Sequence, residues 1–368
     1  LIKLRRSIII CLTFVIAISL LLTGCQDGTK DSQPDTSGQT GTITVTDCIG
    51  RQVEIPDQVD RIACLYAFSG HVVAMLGKAD QIVSVVDGLK RDVLLNSLYP
   101  GIKEANIPVT SGSINIEELI KAQPDLAFIK GETARSEGEV AKLNKANIPY
   151  LVVDFNNMRE QQYAVTMIGQ AIGAETEARK YNEFYQACID RVEKKVSSIP
   201  SSQRVRVYHS VNEATRTDMK DTLPADWLQA AGVNNVSVNQ PLKLIEEKHF
   251  ASLEQILLWN PDVILVNEYG VGDYIMTNEQ WATLSAVQNH RVYQMPIGIS
   301  RWGHPGSLET PLAILWTAQL LYPDKFTELD LADEAKGFYA EFFNLQLSDE
   351  EIDQVLKAQG MRKAKGNK

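Results

Sequence analysis

Hydrophobic and polar positions alternate in short blocks along most of this chain, and the blocks predict its elements. The opening TITVTDCIGRQVEIP (42–56) has two alternating runs flanking Ile49-Gly50, which predicts a β-hairpin. RIACLYA predicts a buried strand, followed by a helix from about Gly70 to Gly77. QIVSVVD (81–87) predicts a strand, INIEELIKA (114–122) a helix and DLAFI (125–129) a further strand. A helix around 133–146 then leads to the strand PYLVVD (149–154). Apolar strands alternating with helices imply a parallel sheet covered on both faces.

The second half repeats the plan. RVRVYHS (204–210) predicts a strand, LPADWLQAAGV (223–233) a helix, SLEQILLWN (252–260) a helix, and DVILVNE (262–268) and RVYQMPI (291–297) strands. INIEELIKAQPDLAFI (114–129) aligns with ASLEQILLWNPDVILV (251–266), pairing Glu117 with Glu254, Pro124 with Pro261 and Asp125 with Asp262. The matching order of elements suggests two similar α/β lobes. Between them, 158–197 holds no strand-like segment, and Tyr181, Tyr185, Cys188, Val192 and Val196 share one helical face. A helix from Glu175 to Val196 reaches about 33 Å at 1.5 Å per residue, enough to cross both lobes as a rigid connector. Lobes so joined should move only slightly. The same periodicity is compatible with a helix lying on one lobe.

The expected fold class is therefore α/β: two Rossmann-like lobes with parallel sheets, joined by a single long helix, with a ligand cleft between them. The expected divisions are a signal at 1–24, a tether at 25–41, an N-terminal lobe at 42–157, a connector at 158–197 and a C-terminal lobe with terminal helices at 198–368.

The first residues change the picture by placing the chain. Lys3, Arg5 and Arg6 precede an uncharged apolar run from Ser7 to Thr23, which ends in Leu22-Thr23-Gly24-Cys25. A basic start, an apolar stretch and small residues form a secretory signal, and the cysteine after the small residues makes Cys25 the expected lipid attachment point. The competing reading, an uncleaved span, needs about 20 apolar residues. Residues 26–41 carry no large apolar side chain and read as a flexible tether. Without the three signal cations, the 36 basic residues become 33 against 46 acidic ones, a net charge of −13. That balance argues against nucleic acid as a partner. Beyond Cys11 and Cys25, three cysteines remain: Cys48, Cys64 and Cys188. An odd number without CxxC is no zinc or disulfide framework; Cys48 and Cys64 could pair, or all three could be small buried hydrophobes.

Several stretches together resemble a known family. DCIGRQVEIPDQVDRIA, the two glutamate-to-Pro-Asp segments, VRVYHSVNEATRTD…ADWLQAAGVNNV and HRVYQMPIG…PLAILWTAQLLYPDKF look like the helical-backbone solute-binding proteins of metal-chelate importers. The resemblance covers nearly everything after the tether. It implies a monomeric lipid-anchored receptor on the extracytoplasmic face of the cell membrane, feeding an ABC permease dimer with its ATPase. The implied ligand is a metal chelate of the iron-siderophore type, with cobalamin, haem or nickel/cobalt chelates as alternatives. No cofactor is implied. In the resembling family, glutamates at the positions of Glu117 and Glu254 meet arginines on the permease. Many members start the first helix of the N-terminal lobe with Thr-Glu; Gly70-His71 stands there in this chain.

In such folds ligands sit beyond the C-terminal ends of the strands. This rule selects Tyr66 and His71 after the first strand, Arg91 after the second, His209 and Arg216 in the second lobe, then Tyr269, and Arg301, Trp302 and His304 from SRWGHPGS. That loop offers a cation, a flat aromatic face and a metal-capable nitrogen. Arginine donors suit carboxylate or catecholate groups. Direct metal ligation through His71, His209 and His304 is chemically open, but no close histidine pair supports it. An enzyme related to chelatases is the alternative of another class. The sequence contains no GxSxG, HExxH, P-loop or CxxC to support it.

Overall fold

The computed structural model describes residues 41–363, so Cys25 and the apolar run before it lie outside the described residues. The hairpin forms as expected from β1 (Thr42–Thr46) and β2 (Gln52–Pro56), paired antiparallel. Buried Asp47 fixes it to the lobe, its carboxylate accepting from the Val152 N–H at 3.2 Å while also pairing with Arg51.

The N-terminal lobe then runs β3 (Ile62–Cys64), α1 (Ala67–Met75), β4 (Ile82–Ser84), α2 (Ile116–Lys121), β5 (Leu126–Lys130), α3 (Glu137–Lys145) and β6 (Tyr150–Val153). Three short helical segments fill 87–104. The sheet order is β4-β3-β5-β6, all parallel. Every residue of β6 and the first four of β5 are buried, which is why these strands read as continuous apolar runs.

The segment 158–197 folds as two helices, α4 (Met158–Ala171) and α5 (Glu175–Val196). The second has the bounds the periodicity predicts. It packs on α4 and on the C-terminal lobe, whereas α4 touches α1 and β1 of the N-terminal lobe. The crossing between lobes is thus shared by a helix pair. Asn157 caps α4, accepting from the Glu160 N–H. On the buried face of α5, Tyr181 donates to the Leu308 carbonyl at 2.6 Å and Tyr185 to Gln161 at 2.8 Å.

The C-terminal lobe runs β7 (Arg206–Ser210), α6 (Leu223–Ala230), β8 (Asn234–Asn235), a hairpin of β9 (Lys243–Ile245) and β10 (Lys248–Phe250), α7 (Leu253–Trp259), β11 (Val263–Val266) and β12 (Val292–Gln294). Its parallel sheet has the order β8-β7-β11-β12. Three helices close the chain: α8 (Thr310–Leu321), α9 (Leu331–Phe343) and α10 (Asp349–Leu356).

The internal repeat has a physical basis in the backbone. Asn115 and Ser252 cap α2 and α7 through their side chains. Both helices then end in a left-handed residue, Gln123 with φ 47° and Asn260 with φ 42°. Asp125 and Asp262 follow the two prolines. Their carboxylates accept from the backbone of Arg61 at 2.8 Å and of Arg206 at 3.2 Å. Each arginine returns its guanidinium to carbonyls at the end of the helix.

The cores divide by layer. The outer helices of each lobe pack on their own sheets in separate clusters. The inner layer is one cluster running through both lobes, with Phe68 and Val72 from the first, Tyr181 and Tyr185 from α5, and Trp227, Leu312 and Phe338 from the second. Cys48, Cys64 and Cys188 are free thiols, so Cys48 and Cys64 are not paired.

Candidate functional site

The C-terminal ends of the two sheets face each other, and side chains from both lobes meet there at three places. At one edge Arg135 donates to Glu247 at the tip of the β9–β10 hairpin at 2.9 Å. In the middle, Gly306 lies against the Tyr66 hydroxyl. At the other edge Arg91 of the N-terminal lobe pairs with Glu268 of the C-terminal lobe at 3.4 Å.

The loop after β12 builds the centre. Trp302 N–H donates to the Pro296 carbonyl at 3.0 Å, and Ile297 bridges Arg301, so the loop folds back on the strand end. Gly303 holds φ 74°, and a Cβ there would stand 2.6 Å from the Met295 methyl. His304 then turns its ring toward the cleft, and its Nδ1 accepts from the Gly306 N–H at 3.1 Å. Arg301 reaches Asn212 and Glu268 with one nitrogen.

The electrostatics follow from burial. Burial and then the Arg362 guanidinium bring Arg301 down to about 10, so it stays cationic at neutral pH. Burial, followed by Arg301, Arg216, Arg362 and His71, holds His304 well below the ordinary histidine range, so its ring is neutral. Burial also lowers Arg216, against the opposing influence of Glu213 and Asp218. Burial pushes the Tyr66 hydroxyl up, so it remains a donor. Among the described residues, the Tyr66 hydroxyl, His304 Nε2 and the Arg216 guanidinium make no hydrogen bond within the protein.

The residues selected from sequence therefore separate. Tyr66, Arg91, Arg216, Arg301 and His304 converge on the cleft. His71 is buried in α1, its Nε2 2.9 Å from Asp92. His209 is equally enclosed, its Nδ1 2.8 Å from Asp218 and its ring edge-on to Trp227. Both imidazoles are committed to buried carboxylates. Trp302 departs from its expected role: it is fully buried in the shared core and offers no face to a ligand. The physical reason is the tight loop, which sends adjacent side chains to opposite sides, Arg301 outward and Trp302 inward. Tyr269 is 63% exposed and stands apart. Among the described residues no group of three His, Cys, Asp or Glu side chains is placed to hold a metal ion. Glu117 and Glu254 are exposed, each the second residue of its capped helix.

Sequence reasoning missed Asp92, Glu268 and Arg362. Glu268 stands two residues after the end of β11 and satisfies the same strand-end rule that picked Tyr269. Asp92 adjoins the selected Arg91. Arg362 carried no signal, since its partner Asp92 is 270 residues away.

Residues 62–297 match the profile of a family described as periplasmic binding protein. The molybdate-binding protein MolA of Haemophilus influenzae is 26% identical over 81% of this chain and 90% of its own length. The ABC transporter substrate-binding lipoprotein YvrC of Bacillus subtilis is 24% identical over 84% of this chain and 96% of its own. Among solved structures, a periplasmic solute binding protein from Veillonella parvula superposes with a TM-score of 0.73 at 24% identity, covering 87% of this chain and 98% of that one. MolA bound to molybdate superposes with a TM-score of 0.73 at 23% identity, covering 83% and 99%.

Proposed function

This chain belongs to the periplasmic binding protein family, the extracytoplasmic solute-binding components of ABC importers, and we propose that its solute is a compact metal oxyanion of the molybdate type. The observation that carries this reading is the hydrogen bond from Gly306 to His304. A backbone N–H can only donate, so Nδ1 accepts, and in the neutral ring the proton sits on Nε2. His304 thus presents a donor to the cleft, as do Tyr66, Arg216 and Arg301. A set of donors suits an acceptor-rich anion. A bare cation would need the Nε2 lone pair, and the tautomer change would forfeit the Gly306 bond.

Size favours a small solute. The contacts Arg135–Glu247, Tyr66–Gly306 and Arg91–Glu268 bring the lobes together at both edges and the centre. A siderophore-type chelate would have to part all three. The name of the 26% identical MolA points to the same ligand class. The site binds and releases its solute without chemistry. Glu117 and Glu254 dock the loaded protein on the permease dimer beside its ATPase, and Cys25 carries the membrane anchor.

Titration calorimetry with sodium molybdate, tungstate and sulfate, and with a ferric catecholate chelate, tests the assignment. Saturable one-to-one binding of molybdate or tungstate is expected. Binding of the chelate alone would overturn the reading.

A further inference from the structure

The last described residues leave the C-terminal lobe and return to the N-terminal one. Helix α9 packs on α1, and the Val355 carbonyl of α10 accepts from Ile297 at 3.1 Å, behind the cleft loop. The chain then turns through two left-handed residues, Ala358 with φ 56° and Gly360 with φ 72°. Residues 361–363 pair with 91–93: Val93 N–H donates to the Met361 carbonyl at 3.1 Å and Lys363 N–H to the Arg91 carbonyl at 3.0 Å. The Arg91 side chain adds a bond to the Lys363 carbonyl at 3.0 Å.

Met361 is buried and, with these backbone bonds, helps seat the tail. Arg362 does something else. Lying between the two backbone bonds, it points inward to the cleft edge, and its side chain is only 7% exposed. One terminal nitrogen pairs with Asp92. Its Nε is buried without a hydrogen-bond partner and lies 3.9 Å from Glu268. Burying a guanidinium with an orphaned donor costs stability, and a tail residue could avoid that cost by staying in water. Here it is placed where Arg91 and Arg301 already meet Glu268. Three guanidiniums against the carboxylates of Asp92 and Glu268 leave one positive charge over, at the mouth of a cleft already lined with donors.

We infer that Arg362 is a ligand-site residue, delivered by the C-terminal tail, whose Nε, without a hydrogen-bond partner in the protein, contacts the anionic solute together with Arg301 and His304. The assignment rests on the anionic-solute reading. It makes the tail a working part of the site, although it lies outside both sheets and outside the 62–297 region that matches the family profile. The Coulombic influence of Arg362 on both Arg301 and His304 is consistent with that position.

The test uses the full mature chain and sodium molybdate as probe. Arg362→Met keeps the aliphatic stem and loses the donors; Arg362→Lys keeps the charge. Calorimetric titration should show affinity at least tenfold weaker for Arg362→Met, with Arg362→Lys intermediate. Because Arg362→Met leaves Asp92 with only the His71 ring as a side-chain partner, the double variant Asp92→Asn/Arg362→Met, neutral at both positions, should fold normally and show the same loss. Binding by either methionine variant within twofold of wild type would overturn the inference. Failure of the wild type itself to bind any oxyanion would overturn the anionic-solute reading and with it the contact assigned to Arg362. Hydrogen exchange at the Val93 amide separates the tail from its ligand role. Faster exchange with unchanged affinity would mean that Arg362 is only a strap.

Discussion

Gly306 of the C-terminal lobe and Tyr66 of the N-terminal lobe touch across the cleft so closely that a Cβ on the glycine would stand 3.1 Å from the tyrosine oxygen. The glycine thus sets how near the lobes come at the centre of the proposed site. Gly306→Val should push Tyr66 away and weaken molybdate binding by roughly tenfold, about 1.4 kcal/mol. Adding Tyr66→Ala should relieve the wedge. A calorimetric double-mutant cycle in which the two changes simply add would show that the contact does not limit closure.

Arg301 and Trp302 are neighbours with opposite tasks. Arg301→Ala should cost about 2 kcal/mol of binding, or roughly thirtyfold in affinity, with little change in melting temperature. Trp302→Ala empties a fully buried site in the shared core and should cost about 3–5 kcal/mol of stability. Denaturant titration beside ligand titration separates the two. Weak binding by a Trp302 variant of undiminished stability would return that ring to the cleft.

His304 gives the stability of the protein a defined pH slope. Burial and the adjacent arginines hold its folded pKa well below the 6.5 of a free histidine. As pH falls below that value, the unfolded chain takes up a proton that the folded one refuses. Stability from this group is therefore complete above pH 6.5 and is lost as pH falls toward the folded pKa. Between neutral pH and pH of about 5.5, a range set by the ordinary histidine pKa, urea unfolding should show a shallower slope for His304→Gln than for wild type. Parallel slopes would place the acid sensitivity elsewhere.

Glu117 and Glu254 stand at the same step of the repeat on two capped helices, both in solvent. Exposed charges of this kind set association rate and register. Glu117→Ala with Glu254→Ala should leave ligand affinity and melting unchanged. In a reconstituted transporter the same double variant should reduce stimulation of the ATPase, most clearly at low salt, because higher salt screens the wild-type charges as well. Full stimulation would reduce both residues to helix-terminal charges.

Much of the fold was legible because local chemistry and long-range packing agree. The Gln-Pro-Asp and Asn-Pro-Asp steps that marked the repeat stand where a helix ends in left-handed backbone and an aspartate ties the next strand to its neighbour. The periodic face of α5 named its buried residues, because a helix covered on one side must repeat its apolar positions. The candidate site was legible as positions and not as directions. Strand ends locate a residue near the cleft, but whether it turns in or out depends on loop geometry, as Trp302 shows. His209 stands near the end of β7 and His71 in the middle of α1, which begins three residues before the expected Gly70, and Asp218 and Asp92 claim them inside the lobes. Arg362 owes its place to a tail that crosses back over the whole chain, a relationship no local pattern encodes.

The inner layer of packing runs without interruption from Phe68 and Val72 through Tyr181 to Trp227 and Phe338. A core shared in this way couples the fates of the two halves. Neither can lose its inner helices without exposing apolar surface on the other, so the halves should melt in one transition. Separated as fragments, each would display a greasy face made for its counterpart. The two similar halves share one inner core, which ties them into a single thermodynamic body.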